Sequence, residues 1–155
     1  MQKRCDLYFP DPVQSARLKF IELFDKSFIC EAEKAYVGYL HVNVDRIKLV
    51  SVVIDLREDG FNCFSVPAEY RDHTSISMEA AQSLGMEYAK TIGASVVPSL
   101  DRTSKSPPVY WIFDLFYENP RDEKSGGVVV VDRLDGHIWS SSEYEEYWYD
   151  YNNVL

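Results

Sequence analysis

The side chains best suited to chemistry in this chain are three histidines, three cysteines and a surplus of carboxylates. Their spacing argues against catalysis. His41, His73 and His137 make no H-E-x-x-H or H-x-H arrangement, so no zinc-binding pattern is present. Cys5, Cys30 and Cys63 are scattered and odd in number, with no C-x-x-C pair. Cys30 and Cys63 stand beside apolar residues and read as small buried hydrophobes. A Cys63–His41 dyad would need the fold to bring the two together, and no local signature marks either one. "DRLDG", Asp132 to Gly136, begins like a calcium loop whose twelfth place is Glu143. Leu134 and Gly136 stand where oxygen ligands are required, and His137 fills the sixth place, which needs glycine. A plain turn accounts for it better. "EKSGG" lacks the phosphate-loop spacing. Of the paired carboxylates, such as Asp114 with Glu118, only Asp114 stands inside an aromatic run. Facing inward it would be pushed towards protonation, as buried acids are, and would mark a cavity. The expectation is no catalytic residue, no cofactor and no metal.

Composition sets the company this protein keeps. The chain has 155 residues, 46 % hydrophobic and 14 % aromatic, which suits one folded domain over 1–155 and excludes disorder. The formal charge of -9 repels nucleic acid and anionic membrane and attracts basic proteins. Basic residues are dispersed, with no stripe for a phosphate backbone. No apolar run reaches the length of a membrane span. "MQKRCDLYFP" has no apolar core of a signal peptide, and the free cysteines suit a reducing compartment, so the expected location is cytoplasmic.

Hydrophobic periodicity supplies the elements. "CDLYF" predicts a short first strand, and Asp11-Pro12 then opens a helix in which Ala16, Phe20, Phe24 and Phe28 recur every four residues. "CEAEKAY" suits either its continuation or a strand. Leu40, Val42 and Val44 alternate with His41 and Asn43, as in a half-buried strand. "KLVSVVIDL", apolar on both faces, reads as a central strand, followed by a hairpin turn at Asp59-Gly60 and a return strand ending at Pro67. A second helix starts at Ser77, buries Ala81, Leu84, Gly85, Tyr88, Ala89 and Ile92, and ends at Gly93. "SVVPSLDRTSKSPP" is a loop, "VYWIFDLFY" a strand and "VVVVD…HIW" a hairpin turning at Asp135-Gly136. Elements come in runs rather than strict alternation. That predicts an α+β fold: a curved antiparallel sheet with two main helices on one face and a short C-terminal helix.

That last helix carries the functional argument. Ser140 to Asn153, "SSSEYEEYWYDYNN", holds four acids, four tyrosines, a tryptophan and no basic residue. Ser142 with Glu145 fits a capping box. Tyr144, Tyr147, Trp148 and Tyr151 then share one helical face, while Glu143, Glu146 and Asp150 lie on others. So short a helix must dock on something. Two arrangements are compatible: the rings pack on the protein's own sheet, or rings and acids form a surface for a partner. In a third they divide, with the ring face inward and the acids and Tyr149 outward.

"SISMEAAQSLGMEYAKTIG", followed by an aromatic strand and "GGVVVVDRLDGHIW", resembles small bacterial immunity proteins of PepSY-like or cystatin-like α+β type. Val131, Asp132, Gly136 and Ile138 match the closing hairpin of that pattern, while Asp135 stands where such hairpins carry threonine. The resemblance spans about Ser75 to Trp139. It implies a non-enzymatic protein that binds a cognate toxin domain, a basic one if the toxin is a nuclease, and occludes its active or substrate-binding surface. The expected partner-binding residues are Glu143, Glu145, Glu146, Tyr147, Tyr149, Asp150 and Tyr151, with "ENPRDEK" as a second candidate edge. The rival reading is a small-ligand protein or enzyme with a cavity between sheet and helix, where Asp114, Tyr110 and His41 would matter. An adaptor and a DNA mimic stand behind it.

Overall fold

Strand β1 (Arg4–Gln14) organises the first part of the structure, a computed structural model that describes residues 3–117 and 127–154. Cys5, Leu7 and Phe9 are fully buried in it, because β1 has neighbours on both sides. It pairs antiparallel with β2 (Ala35–Tyr39), β3 (Val44–Asp45) and β4 (Phe64–Pro67). The strand runs on through Pro10, Asp11 and Pro12, where the sequence predicts a helix. A register shift between Phe9 and Val13 takes up the two prolines, which have no N–H to give to a ladder. The expected helix is replaced by two 3-10 turns, Ser15–Arg17 and Lys19–Leu23. Burial there follows a three-residue step through Ser15, Leu18 and Ile21, while Ala16 and Phe24 are exposed.

The largest correction concerns "KLVSVVIDL". It is not a central strand but most of helix α1 (Arg46–Glu58), capped by Asp45, whose Oδ1 accepts from Ile47 N at 2.9 Å. Leu49, Val52, Val53 and Leu56 are the buried set, the i, i+3, i+4, i+7 spacing of a helix. Asp59-Gly60 ends that helix instead of turning a hairpin. Gly60 has φ +89, its N–H donates to Arg57 O at 2.9 Å, and Phe61 N donates to Leu56 O at 3.0 Å. Those two bonds are a Schellman stop. Leu40, Val42 and Val44 alternate in burial with exposed His41 and Asn43 as expected, although only Val44 belongs to a ladder. A short helix α2 (Ala68–Asp72) follows β4.

Asp6 joins these pieces. Its side chain is 0 % exposed. Oδ1 accepts from Leu7 N (2.7 Å) and Val42 N (3.0 Å), and Oδ2 from His41 N (3.1 Å) and Arg71 Nη1 (3.2 Å). Arg71 also donates to Val42 O and Asn43 Oδ1, both at 2.8 Å.

The chain divides into two compact units, Met1–Asp72 with Glu145–Leu155, and His73–Tyr144. The second unit holds helix α3 (Met78–Lys90), β5 (Ala94–Pro98), α4 (Leu100–Ser104), β6 (Tyr110–Tyr117) and β7 (Val128–Asp132). Its antiparallel order is β5-β6-β7, a sheet separate from the four-stranded one, so two sheets replace the single curved sheet expected. The fold class is α+β, as the sequence predicts. Ser77 caps α3 through Ala80 N, and Gly93 (φ +70) follows its end, both as anticipated. Of the expected stripe only Ala81, Gly85 and Ala89 are buried; Leu84, Tyr88 and Ile92 stay 36–41 % exposed. Small residues on the inner line let the helix lie close to Val96 and Val129, which leaves its larger neighbours at the rim. The Pro/Ser stretch expected as a loop contains β5 and α4, because "ASVVP" is β-branched enough to pair with Phe113 to Tyr117.

Two glycines separate strain from space. Gly85 has φ in the ordinary range, and an added Cβ meets Val129 Cγ1 at 3.6 Å, so Gly85→Ala stabilises by about 0.5–1 kcal/mol through helix propensity. Gly136 has φ +77, and a Cβ there lies 2.6 Å from Leu84 Cδ1, so Gly136→Ala destabilises by about 1–3 kcal/mol. Asp6→Ala takes the acceptor from three backbone N–H groups and the buried carboxylate from Arg71, which keeps Asp72, and the loss is about 3–5 kcal/mol. Urea denaturation followed by far-UV circular dichroism measures all three.

Candidate functional surface

Helix α5 (Ser141–Asn152) builds the surface, and its two faces do different things. The N-cap is Ser140, whose Oγ accepts from Glu143 N at 3.1 Å. The capping pair is therefore Ser140 with Glu143, two residues earlier than the Ser142–Glu145 pair read from sequence, since "SSSEYE" offers both frames. From Glu145 onward the helix belongs to the first unit, where its inward face closes the outer edge of β4. Tyr147 is 6 % exposed and its hydroxyl donates to Ser65 O at 2.7 Å. Asn152, 1 % exposed, offers Oδ1 to Ser65 N at 3.0 Å. Both backbone groups of Ser65 are thus bonded to α5. Tyr151 stacks on Tyr147 with centroids 5.2 Å apart, and Trp148 meets Phe64 edge-on at 5.7 Å. Arg46 donates to Asp150 O at 2.5 Å and lies over the Tyr151 ring; Arg57 donates to Asn152 O at 3.2 Å. Two arginines of α1 thus satisfy carbonyls at the end of α5, where the dipole is negative.

The outward face holds Glu145, Glu146, Tyr149 and Asp150, all exposed, with Tyr149 at 53 %. Among the described residues no basic group lies within 4.0 Å of the carboxylates of Glu145, Glu146 or Asp150. Of the seven residues expected to bind a partner, four assemble here. Tyr147 faces inward, buried with its hydroxyl on Ser65, and Tyr151 is half-buried, stacked on Tyr147 under Arg46, so neither belongs to the outward face. Glu143 goes elsewhere: its Oε2 is 2.7 Å from His137 Nε2 in the second unit. "ENPRDEK", the second candidate edge, lies outside the described residues. Asn152 and Ser65, which fix the helix, carry no sequence signal, since their bonds join positions 87 apart.

The residues of the cavity reading divide between the two units. Asp114 is half-exposed and faces Arg102 Nε at 3.3 Å, so it is a surface ion-pair member and not an inward acid. Tyr110 is buried with its ring against Trp139 and Tyr144, and His41 is exposed in the other unit. A groove of about 440 Å³ along α3 is lined by Glu79, Ser83, Met86 and Lys90 among others, and by none of those three. Burial pushes the Cys5 and Cys63 thiols up to about 11, the opposite of an activated nucleophile. The Asp132–Gly136 segment is a turn, with Gly136 N donating to Asp132 O at 3.1 Å. Asp132, Asp135 and His137 do cluster there, but their polar atoms are bonded to one another and to Trp139 and Glu143. No helix is long and apolar enough to cross a membrane among the described residues.

Removing one hydroxyl separates support from display. Tyr147→Phe leaves Ser65 O without its donor and costs about 1–2 kcal/mol in urea denaturation. Tyr149→Ala changes stability by less than about 0.5 kcal/mol, because the residue is more exposed than buried.

A scan of protein-family models and searches among curated proteins and solved structures find no match.

Proposed function

We propose that this chain is an inhibitor of the immunity or antitoxin kind, which captures a basic toxin domain on the outward face of α5 and covers its active or substrate-binding surface. The observation that carries the reading is the anionic face itself: three carboxylates that have no cationic partner within 4.0 Å among the described residues, set around an exposed tyrosine. Glu146 and Asp150 are four apart on one helix, a like-charge spacing that costs about 0.2–0.5 kcal/mol. Asp150 stands in the last turn, where the dipole disfavours an anion; Arg46 and Arg57 of α1 soften that penalty at the carbonyls of Asp150 and Asn152 and leave the carboxylate exposed. A partner bringing lysines and arginines relieves both penalties.

The same geometry suits a nuclease-type toxin. A surface that holds phosphate must be basic, so carboxylates spaced along a helix compete for the same groups. Opposite charge steers the encounter and raises the association rate, and a rigid exposed tyrosine supplies an anchor. The chain's net charge of -9 acts in the same direction at longer range.

The test mixes the protein with the basic toxin domain encoded beside its gene. A stable complex forms, and its association rate falls steeply with salt. The triple variant E145K/E146K/D150K folds normally and associates about 10- to 100-fold more slowly at low salt. A complex that forms equally fast with the triple variant removes α5 as the surface. Absence of any complex removes the inhibitor reading.

A further inference from the structure

His137 has a carboxylate against each ring nitrogen. Nδ1 is 2.5 Å from Asp135 Oδ1, and Nε2 is 2.7 Å from Glu143 Oε2. A carboxylate offers only acceptors, and a neutral imidazole has a single N–H. A neutral ring would turn one lone pair towards an anion. Both contacts are hydrogen bonds only when the ring carries two protons. We propose that His137, when both ring nitrogens carry protons, works as a pH-sensitive latch that ties the first turn of α5 to the turn that follows β7.

The charged groups facing the ring come from three places. Asp132, at the end of β7, has Oδ2 4.0 Å from Nδ1 with its side chain 4 % exposed. That carboxylate is fixed by Leu134 N at 2.7 Å and Trp139 Nε1 at 2.8 Å. Asp135 lies in the turn, and its Oδ1 also accepts from His137 N at 3.0 Å. Glu143 comes from α5, where its own N–H is held by the Ser140 cap. Partial burial pulls the ring's proton affinity down, but the bonds to Glu143 and Asp135 and the charge of Asp132 outweigh it, and the pKa lies above its ordinary value. The backbone N–H of His137 leads the groups that hold the Asp135 carboxyl below its own.

The signs define a window. A histidine raised on folding contributes fully below about pH 6.5 and loses its contribution as pH rises through the folded value. An aspartate lowered on folding contributes above about pH 3.9 and loses it as pH falls further. The latch is therefore complete in mildly acidic solution, below about pH 6.5. It opens on the alkaline side when His137 gives up its second proton. The part released is the first turn of α5, closed by Tyr144 N donating to Ser140 O at 3.1 Å.

The experiment titrates the whole chain by nitrogen-15 NMR of its histidine rings, with a chelator present so that no metal contributes. The His137 midpoint lies above pH 6.5, with both nitrogens protonated below it. E143Q and D135N each weaken proton binding at His137 about two- to five-fold, and leave the His41 and His73 signals in place. Amide exchange gives a second readout: the protection factor of Tyr144 drops as pH passes the His137 midpoint, and in H137Q that step is gone. A midpoint at or below 6.5, an unchanged midpoint in E143Q, or a protection step that survives in H137Q each overturns the latch.

Discussion

The backbone of Ser65 is the constraint from which the role of the C-terminal helix follows. β4 pairs with β1 on one side only, so the N–H and C=O of Ser65 point outward at a sheet edge. An edge left open is a template for another strand, and one that is buried without partners costs free energy. Here the edge is closed by a helix: Tyr147 gives a donor to Ser65 O and Asn152 an acceptor to Ser65 N. Because these groups stand five apart, only one rotation of α5 serves both. The rotation commits the aromatic line to the interior, and it leaves Glu145, Glu146, Tyr149 and Asp150 as the residues free to meet anything else.

The buried Asp6 carboxylate performs a comparable service within the same unit. The segment from Leu40 to Asn43 passes from one antiparallel partner of β1 to another, with His41 at φ +66, and so has N–H groups that no ladder takes up. One carboxylate gathers two of these with Leu7 N, and Arg71 balances its charge while also binding Val42 O. Burial pushes the Asp6 carboxyl up, against the pull of Val42, Arg71 and His41. A buried pair of this kind specifies geometry more than it stabilises, since desolvation takes back much of the attraction. What it secures is the left-handed turn at His41, without which Val42 and Val44 would not both reach the core.

Several elements were legible because their signals were local. Ser77 and Gly93 bound α3, the aromatic run is β6, and the division of α5 into ring and acid faces follows from four-residue spacing alone. Other readings failed where two local signals had the same letters. "KLVSVVIDL" is β-branched enough for a strand, yet Leu49, Val52, Val53 and Leu56 also fit a helical face, and the Asp45 cap decides for the helix. Asp59-Gly60 suits a hairpin or a helix stop, and which one holds depends on what precedes it. Asp11-Pro12 suggested a helix entry, but a register shift lets β1 carry both residues. For the candidate surface, composition marked out α5, whose outward face holds Glu145, Glu146, Tyr149 and Asp150. It could not assign Tyr147 and Tyr151 inward by name, because their partner, Ser65 or a tyrosine ring, is set by packing across the unit. The His137 latch was hidden in a motif rejected for calcium, where Glu143 and Asp135 serve a ring nitrogen instead of a metal.

Magnitudes explain how one short helix sustains two opposed demands. The outward acids cost α5 about 0.5–1.5 kcal/mol in all, through mutual repulsion and an unfavourable dipole. Burying the Tyr147 ring returns about 1.5–3 kcal/mol, and its hydroxyl bond to Ser65 about another 1. The inner face thus outweighs the outer one without help from any partner, so the helix is formed and its charges fixed in place before an encounter. In the proposed capture of a basic partner, such a preformed face loses little conformational entropy on binding.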